Sequence, residues 1–348
     1  MDDSYDMFEI KPNSSIIEHF NNQPTCIDKE FNFILQKTDL KSIETSPDKF
    51  KSALLEKNKA KNRYSNVLPF EETRVKLTID EDDIEDLNYS DGSYDSDQDS
   101  DSENDFEREE PSDYINASLI CNGTYICTQG PLLNTIYDFW KMIYEQKSNI
   151  IVMLTKVEEN LKIKCDKYWP EKDEMKCGKF IVKFETSLII PDVLLRREFT
   201  LHNTKTKESR RVSHFQYTTW PDHGTPVSTT NFLKFISHVD HEKRVGPIVV
   251  HCSAGIGRSG TFCVIHHVVS SFIKQYEEKK QLSSLNLPKT VVEMRHQRPG
   301  MVQTRDQYRF CYLAISETMN STLKKVQKTR KGLSYSYSAI PLTGIDNE

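Results

Sequence analysis

The ten residues 251–260, HCSAGIGRSG, constrain the fold and chemistry of this chain more than any other stretch. The apolar run Pro247–Val250 precedes them and predicts a buried strand, and the apolar residues 261–265 predict the start of a helix. Cys252 therefore stands at the mouth of a strand–loop–helix unit, six positions before Arg258. Such a loop can turn its backbone N–H groups inward at the positive end of the helix, where they bind an anion.

The residue types in this loop point to phosphate chemistry. The field that attracts an anion also favours a thiolate, which is a strong nucleophile. Arg258 supplies a planar fork that matches phosphate oxygens, and Gly255 and Gly257 permit backbone angles that other residues resist. A buried cysteine before a helix is more often a small core residue, and the spacing C-x5-R alone occurs by chance. The whole string after an apolar strand favours phosphoryl transfer through a phosphocysteine.

The composition excludes several other classes of protein. No apolar stretch among the 348 residues approaches the ~18 needed to cross a bilayer, and the N-terminus, MDDSYDMFEI, is too acidic for a secretory signal. The eight cysteines form no CxxC pair and the ten histidines form no HExxH motif. We therefore expect neither disulfides nor a metal, and no cofactor. A reactive thiolate needs a reducing compartment, so we expect the cytosol, with the nucleus as an alternative.

Charge is distributed unevenly along the chain. Residues 80–110 hold 16 acidic residues and one basic residue, a local charge of −15. The remainder of the chain holds 45 basic and 36 acidic residues, so its net charge is +9 although the net charge of the whole chain is −6. A basic folded part suits an anionic substrate.

The pattern of apolar residues predicts one α/β domain with a twisted, mixed β-sheet flanked by helices. Residues 1–25 are expected to be flexible, and 26–322 to form the domain. The Ser/Asp-rich segment 80–110 is expected to be a disordered insertion, because it cannot bury enough apolar surface to fold. Short strands are expected between 162 and 217, and residues 323–348 read as a basic and then Ser/Tyr-rich tail.

A phosphate ester of tyrosine has a phenol leaving group with an unperturbed pKa of ~10, so its rapid cleavage needs a general acid. The candidate is Asp222 in the string WPDHGTP at 220–226, where Pro and Gly flank the carboxylate and indicate a hinged loop. An ordinary surface turn is the alternative interpretation of this string.

Several strings together resemble the tyrosine-specific protein phosphatases of the cysteine-dependent, single-domain, non-receptor type. The resemblance runs from about Glu30 to Asn320. Besides the two strings above, it rests on KNRYSNV at 61–67, DYINAS at 113–118, TQGP at 128–131, CDKYWP at 165–170 and QTRDQ at 303–307. It implies hydrolysis of phosphotyrosine in proteins, with phosphotyrosine-containing proteins as partners. No nucleic-acid partner is expected.

The resemblance also implies roles in a two-step reaction. Cys252 would be the nucleophile, and Asp222 would protonate the leaving tyrosyl oxygen and later accept a proton from water. Trp220 would act as a hinge of the lid that carries Asp222. Gln303 would position the hydrolytic water and Gln307 would support it.

Binding roles follow in the same way. Tyr64 would stack on the substrate ring and make the site deep enough to select phosphotyrosine over phosphoserine. Asn66 would hydrogen-bond the peptide backbone, although the family often has Asp there, which puts the backbone preference in doubt. The residues implied to bind the phosphate are Ser253, Ala254, Gly255, Ile256, Gly257 and Arg258.

Four further residues have supporting roles by resemblance. Glu159 would hold Arg258 in place, with a solvated loop glutamate as the alternative. His251 would hydrogen-bond near the nucleophile, and Ser259 would donate to the departing thiolate. Arg295 matches an arginine of an accessory phosphate pocket, or would be a solvated arginine on a helix face.

The acidic segment is not part of the shared pattern. A solvated loop is the simpler interpretation. Its contents also suggest a tethered pseudosubstrate that contacts the active-site rim, since Tyr89 and Tyr94 lie among acids. Phosphorylation of Ser96, Ser100 or Ser102, each followed three residues later by an acid, would strengthen that contact.

Three other functions compete with this interpretation. A dual-specificity or lipid phosphatase would use the same loop but would not need Tyr64 to make the site deep. A catalytically inactive phosphotyrosine-binding module would have lost one of four residues that are all present here: Asp222, Cys252, Arg258 or Gln303. A rhodanese-like sulfur transferase would need neither the lid nor the glutamine loop.

Overall fold

The computed structural model describes Tyr5, residues 8–9, 26–38, 46–79, 112–221, 224–279 and 285–337. Asp222, the acidic segment 80–110 and most of residues 1–25 lie outside this part of the chain, so the expectations about them stay predictions. Within it, the predicted α/β class with a mixed sheet is confirmed.

Nine strands form the main sheet, in the order β1-β2-β3-β11-β4-β10-β9-β8-β7. The four central strands, β3, β11, β4 and β10, run parallel to one another, and all other neighbouring pairs are antiparallel. The strands are β1 (Arg74–Lys76), β2 (Tyr114–Ile120), β3 (Tyr125–Thr128), β4 (Ile150–Met153), β7 (Glu174–Cys177), β8 (Phe180–Ile190), β9 (Leu194–Asn203), β10 (Ser209–Gln216) and β11 (Ile248–His251). A separate hairpin joins β5 (Glu158–Glu159) to β6 (Lys162–Ile163).

Eight α-helices surround the sheet in the described residues. They are α1 (Cys26–Lys37), α2 (Lys51–Leu54), α3 (Glu56–Lys59), α4 (Ile136–Glu145), α5 (Thr229–Asp240), α6 (Gly257–Lys279), α7 (Leu287–Gln297) and α8 (Arg305–Tyr337). Local sequence explains several starts: Ser228 and Asn286 cap α5 and α7 by accepting backbone N–H groups, and Pro288 stands in the first turn of α7.

Two apolar cores cover the two faces of the sheet. One contains residues of α1, α5, α6, α7 and α8, and the other contains residues of α4. The central strand β11 serves both, because Ile248 and Val250 face the first core while Val249 faces the second. Burial on both faces is why this strand reads as a continuous apolar run. It fixes the position at which the following loop leaves the sheet.

Two sequence expectations need correction. The stretch between 162 and 217 does not hold only short strands, because β8 and β9 are 11 and 10 residues long. Most side chains at the far end of β8 are exposed, so the apolar alternation that marks a strand is missing there. The last helix also continues to Tyr337, into residues 323–348, which were expected to form a tail. Lys and Gln in this run have high helix propensity.

Candidate active site

The anion loop, residues 252–258, links β11 to α6. Cys252 is the first residue after the strand, and its side chain is almost completely buried. Its Sγ accepts the backbone N–H of Gly255 and the hydroxyl of Ser259, each at 3.3 Å. Two hydrogen-bond donors are thus aimed at this one sulfur.

The five consecutive carbonyl groups of residues 252–256 are all engaged. The imidazole of His251 donates to the carbonyl of Cys252, and the N–H of Gly130 donates to that of Ser253. The guanidinium of Arg298 donates to the carbonyls of Ala254 and Gly255. The carbonyl of Ile256 accepts the N–H groups of Gly260 and Val302. The C=O and N–H of one peptide unit point in opposite directions. The N–H groups of this loop therefore turn toward the side on which the sulfur lies, as an anion site requires.

Arg298 contributes two of these bonds and is itself completely buried. Its guanidinium donates to the carbonyls of Ala254 and Gly255, and also to the side chains of Asn116 and Ser118. Burial lowers the pKa of Arg298. Sequence reasoning missed this residue, because a charged side chain at the end of a helix normally reads as solvated.

Arg258 and Glu159 form a bidentate pair. Nη1 and Nη2 of the arginine donate to the two carboxylate oxygens at 2.7 and 2.8 Å. Burial raises the pKa of the Glu159 carboxyl, but Arg258 and Thr155 outweigh that effect, so the pKa lies below its ordinary value. The glutamate is thus ionised near neutral pH, and its two hydrogen bonds fix the plane of the guanidinium.

A chain of hydrogen bonds connects the anion loop to the middle of the sheet. Tyr168 lies between two buried imidazoles, 2.8 Å from Nε2 of His251 and 2.9 Å from Nε2 of His214. Nδ1 of His214 lies 3.3 Å from Nη1 of Arg197, and Nδ1 of His251 lies 3.2 Å from the Cys252 carbonyl.

The two ends of this chain set its direction. A guanidinium can only donate and a carbonyl can only accept. Arg197 therefore donates to His214, which donates to Tyr168, which donates to His251, which donates to the carbonyl of Cys252. His251 is a neutral Nδ1–H tautomer in this arrangement, and burial, against the smaller effect of the Cys252 carbonyl, lowers its pKa to about 4.

A cavity of about 510 Å³ opens above the sulfur. Of the residues predicted for the site, it is lined by Tyr64, Asn66, Glu159, Cys252, Ser253, Ala254, Gly257, Arg258, Gln303 and Gln307. Sequence reasoning missed four other polar lining residues, Thr155, Lys164, Thr304 and Asp306. Gly255 and Ile256 belong to the loop but do not line the cavity.

Tyr64 stands at the cavity rim. It is 37% exposed, and its hydroxyl lies 2.8 Å from Oγ of Ser253. The preceding residue, Arg63, is tied to Asp166 at 2.8 Å and to the carbonyl of Pro131 at 2.7 Å. A buried arginine therefore holds the backbone from which Tyr64 projects.

Gln303 lies between α7 and α8, Gln307 lies in the first turn of α8, and both line the cavity. Oε1 of Gln307 accepts the N–H groups of Gln303 and Thr304 at 2.9 and 3.3 Å. A Cβ at Gly257 would lie 2.9 Å from Nε2 of Gln307 and 3.1 Å from Oε1 of Gln303. Glycine at this position lets both amides approach the loop.

The described residues of the predicted lid, which exclude 222 and 223, contact one another and the site. Trp220 is buried, and its indole N–H donates to the carbonyl of Gly224 at 3.1 Å. The carbonyl of Pro221 accepts a hydrogen bond from Nη2 of Arg258 at 3.2 Å. The residues on both sides of Asp222 are thus anchored, one of them to the arginine of the anion loop.

The structure contradicts one of the two expectations for Arg295, the solvated helix face, while the accessory phosphate pocket stays a prediction. Its side chain is buried and bonded to backbone carbonyls, so it is not a solvated residue of a helix face. It is also absent from the cavity lining. The sequence pattern predicts an exposed Arg295 because periodicity does not show which polar groups of other elements a charged side chain contacts.

Two kinds of site are missing from the part of the chain that the structure describes. No group of three or more His, Cys, Asp or Glu residues there could hold a metal ion. No helix among the described residues is long and apolar enough to span a membrane.

Comparison with known proteins agrees with this geometry. A model of the protein-tyrosine phosphatase family matches residues 58–317. The chain is 66% identical to Tyrosine-protein phosphatase 2 of Dictyostelium discoideum, in an alignment of 379 residues that covers both chains completely. It is 37% identical over 298 residues to Tyrosine-protein phosphatase non-receptor type 20 of Homo sapiens and 36% identical over 303 residues to that of Mus musculus. These alignments cover 83% and 85% of this chain and 62% of each relative.

The chain therefore belongs to the protein-tyrosine phosphatase family, and the predicted resemblance is confirmed. It is an enzyme that removes phosphate from tyrosine, and phosphotyrosine-containing proteins are its substrates.

Proposed function

We propose that this chain hydrolyses phosphotyrosine in two steps through a phosphocysteine at Cys252. The observation that carries the proposal is the environment of this sulfur. It accepts hydrogen bonds from Gly255 and Ser259 and lies below a cavity lined by Arg258. A thiolate stabilised in this way, opposite a guanidinium, is arranged for attack on a bound phosphate.

In the first step the thiolate attacks phosphorus and a P–S bond forms. The bond between phosphorus and the tyrosyl oxygen breaks, and its electron pair goes to that oxygen. The Asp222 carboxyl gives its proton to the oxygen, so tyrosine leaves as a neutral phenol. Arg258 and the loop N–H groups stabilise the negative charge on the three oxygens of the transferred phosphoryl group.

In the second step a water molecule attacks phosphorus and the P–S bond breaks. The Asp222 carboxylate accepts a proton from the water, and inorganic phosphate is released. Gln303 positions this water, and the hydroxyl of Ser259 stabilises the departing thiolate. The hydrogen bond from Ser259 to Sγ supports this role because the donor already points at the sulfur.

Selectivity for phosphotyrosine is assigned to the depth of the site. Tyr64 raises one wall above Ser253, so an aryl phosphate spans the distance to Sγ while a shorter phosphoserine does not. Asn66, exposed on the same rim, would hydrogen-bond the substrate backbone. A dual-specificity phosphatase and a non-catalytic phosphotyrosine-binding module are the alternatives.

A substrate-trapping experiment tests the mechanism. An Asp222→Ala variant should bind a phosphotyrosine peptide as the parent does but lose turnover by about 10²-fold or more, because general acid catalysis is removed. Cys252→Ser should bind but form no phosphocysteine. Parent-like turnover by Asp222→Ala would refute the assignment of the acid. Equal turnover of matched phosphotyrosine and phosphothreonine peptides would favour the dual-specificity alternative, and binding without turnover by the parent would favour the binding module.

We also propose that residues 26–322 form the catalytic domain. Helix α1, which begins at Cys26, packs into the same core as α7 and α8. The cellular compartment stays a prediction from the cysteine usage alone.

A further inference from the structure

Val302, which directly precedes Gln303, has an unusual backbone conformation. Its φ is +56°, in the left-handed region that β-branched residues avoid. Its side chain is completely buried, and its N–H donates to the carbonyl of Ile256 at 3.1 Å. A strained residue beside a reactive centre persists only when its surroundings hold it there.

Arg295 supplies much of that restraint. Its Nε–H donates to the carbonyl of Met301 and Nη2–H to the carbonyl of Val302, both at 2.8 Å. Burial lowers the pKa of Arg295 to about 10, so the side chain is still charged at neutral pH. One buried cation thus fixes the two peptide groups that lead into Gln303.

Helix α1 holds this arginine from the other side. Nη1 of Arg295 donates to Oγ1 of Thr38, which directly follows the helix, at 3.1 Å. The guanidinium carbon also lies 5.6 Å from the centroid of the Phe31 ring, a cation–π distance. This helix lies outside residues 58–317, the region that the family model matches.

A second contact ties α1 to the other end of the same segment. The carboxylate of Glu30 is completely buried, and one of its oxygens accepts the hydroxyl groups of Tyr308 and Tyr312, each at 2.6 Å. Tyr308 follows Gln307, whose Oε1 holds the N–H of Gln303. Residues 301–308 are therefore tied to α1 both before and after Gln303.

We propose that Arg295 and Glu30 are positioning residues for the hydrolysis of the phosphocysteine, and that α1 acts through them to aim Gln303 at the attacking water. The proposal rests on the role assigned to Gln303 above. It concerns the second chemical step, because both side chains act through the segment that carries Gln303, and the role proposed for Gln303 belongs to that step. Residues that merely stabilised the fold would change the amount of folded enzyme and not the ratio of the two steps.

Rapid-quench kinetics with p-nitrophenyl phosphate measures that ratio. When hydrolysis limits turnover, nitrophenol appears in a burst of one equivalent per site, followed by a slower steady state. For Arg295→Met we expect a burst rate within about twofold of the parent and a steady-state rate about tenfold lower, with phosphocysteine accumulating, because small displacements at a reacting centre are costly. Arg295→Lys, which reaches only one of the two carbonyls, should lie between the parent and Arg295→Met.

Three further variants make the result decisive. Thr38→Val is a milder change that should show the same direction if Arg295→Met folds poorly. Arg196→Met is the matched control, because it removes an arginine that pairs with Glu198 and Glu242 on the sheet. Gln303→Ala reports on the proposed function itself.

The outcomes separate the two proposals. A burst in Gln303→Ala with parent-like ratios in Arg295→Met and Thr38→Val overturns the positioning role while leaving that of Gln303 intact. No burst in Gln303→Ala overturns both. An equal change of the ratio in Arg196→Met would make the effect a general consequence of destabilisation and also overturns the proposal.

Discussion

The phenolic oxygen of Tyr168 lies 2.8 Å from Nε2 of His251, and this contact joins the anion loop to the interior of the sheet. A hydroxyl has a single hydrogen, so it can donate to only one of the two imidazoles beside it. The Cys252 carbonyl occupies Nδ1 of His251 as an acceptor, which directs the tyrosine hydrogen to Nε2. The backbone of Cys252 is therefore the end point of a hydrogen-bond chain that starts on β9.

The first prediction concerns the tautomer of His251. We expect nitrogen NMR of the neutral imidazole to place the proton on Nδ1 in the parent enzyme. In Tyr168→Phe this tautomer loses its Nε2 partner, and turnover should fall by about tenfold because the loop backbone is held less firmly. A proton on Nε2 in the parent would contradict the chain.

The second prediction concerns the stability of the fold in acid. Burial, against the weaker effect of the Cys252 carbonyl, lowers the pKa of His251 to about 4, and burial and the charge of Arg197 lower that of His214 well below its ordinary value. Between about pH 6.5, the ordinary pKa of histidine, and about pH 4, the unfolded chain binds protons that the folded chain does not. The free energy of unfolding should thus fall as pH falls through this window, by up to about 3 kcal/mol for His251.

Urea unfolding at several pH values measures this slope. His214→Gln should flatten it, since one buried imidazole that cannot protonate in the folded state is removed. His238→Gln, which removes an exposed imidazole, is the control. The same slope in the parent and in His214→Gln would show that other groups control acid unfolding.

The third prediction concerns the pair of Glu159 and Arg258. In Glu159→Gln the guanidinium stays buried without its counter-charge, so we expect a loss of about 3 kcal/mol in the free energy of unfolding. We also expect kcat/KM to fall by about tenfold or more, because the plane of the guanidinium is no longer fixed. Asp166→Asn, which breaks the pair with Arg63, is a matched control whose main effect should be on KM. An unchanged kcat/KM in Glu159→Gln would contradict the supporting role.

The fourth prediction concerns the acidic segment. Deleting residues 84–106 should lower the KM for an acidic phosphotyrosine peptide at low salt by about threefold, since a tethered segment competes even when its own affinity is weak. The effect should vanish at high salt, which screens the attraction to the basic part of the chain.

A second variant separates the effect of charge from that of length. Replacing residues 84–106 by a neutral Gly/Ser linker of equal length should lower KM as the deletion does. If KM at low salt stays at the parent value in both proteins, the segment does not act as a pseudosubstrate.

Local sequence predicted the parts of the fold that depend on local patterns. The run before Cys252 is apolar on both faces, and the apolar stripe of α4 has helical spacing, so β11 and α4 were both expected. Two residues that line the cavity, Tyr64 and Gln303, followed from short strings that resemble a family.

Such patterns did not predict which charged residues are buried. Arg298 and Glu30 look like solvated side chains, and each is buried by partners distant in the chain. The two tyrosines that bind Glu30 are 278 and 282 residues away from it. Periodicity reports which face of an element is apolar, but it does not show which polar groups of other elements meet there.

The engagement of Arg298 has one more consequence. Phosphate is strongly hydrated, and a flexible loop would have to rearrange around it during each turnover. Here a cation that water cannot reach holds the outward carbonyls of Ala254 and Gly255. The donors that face the phosphate are therefore set when the chain folds, so the reaction needs little reorganisation of the loop. The conformation of the anion loop is thus fixed by buried contacts of the folded chain and does not depend on the substrate.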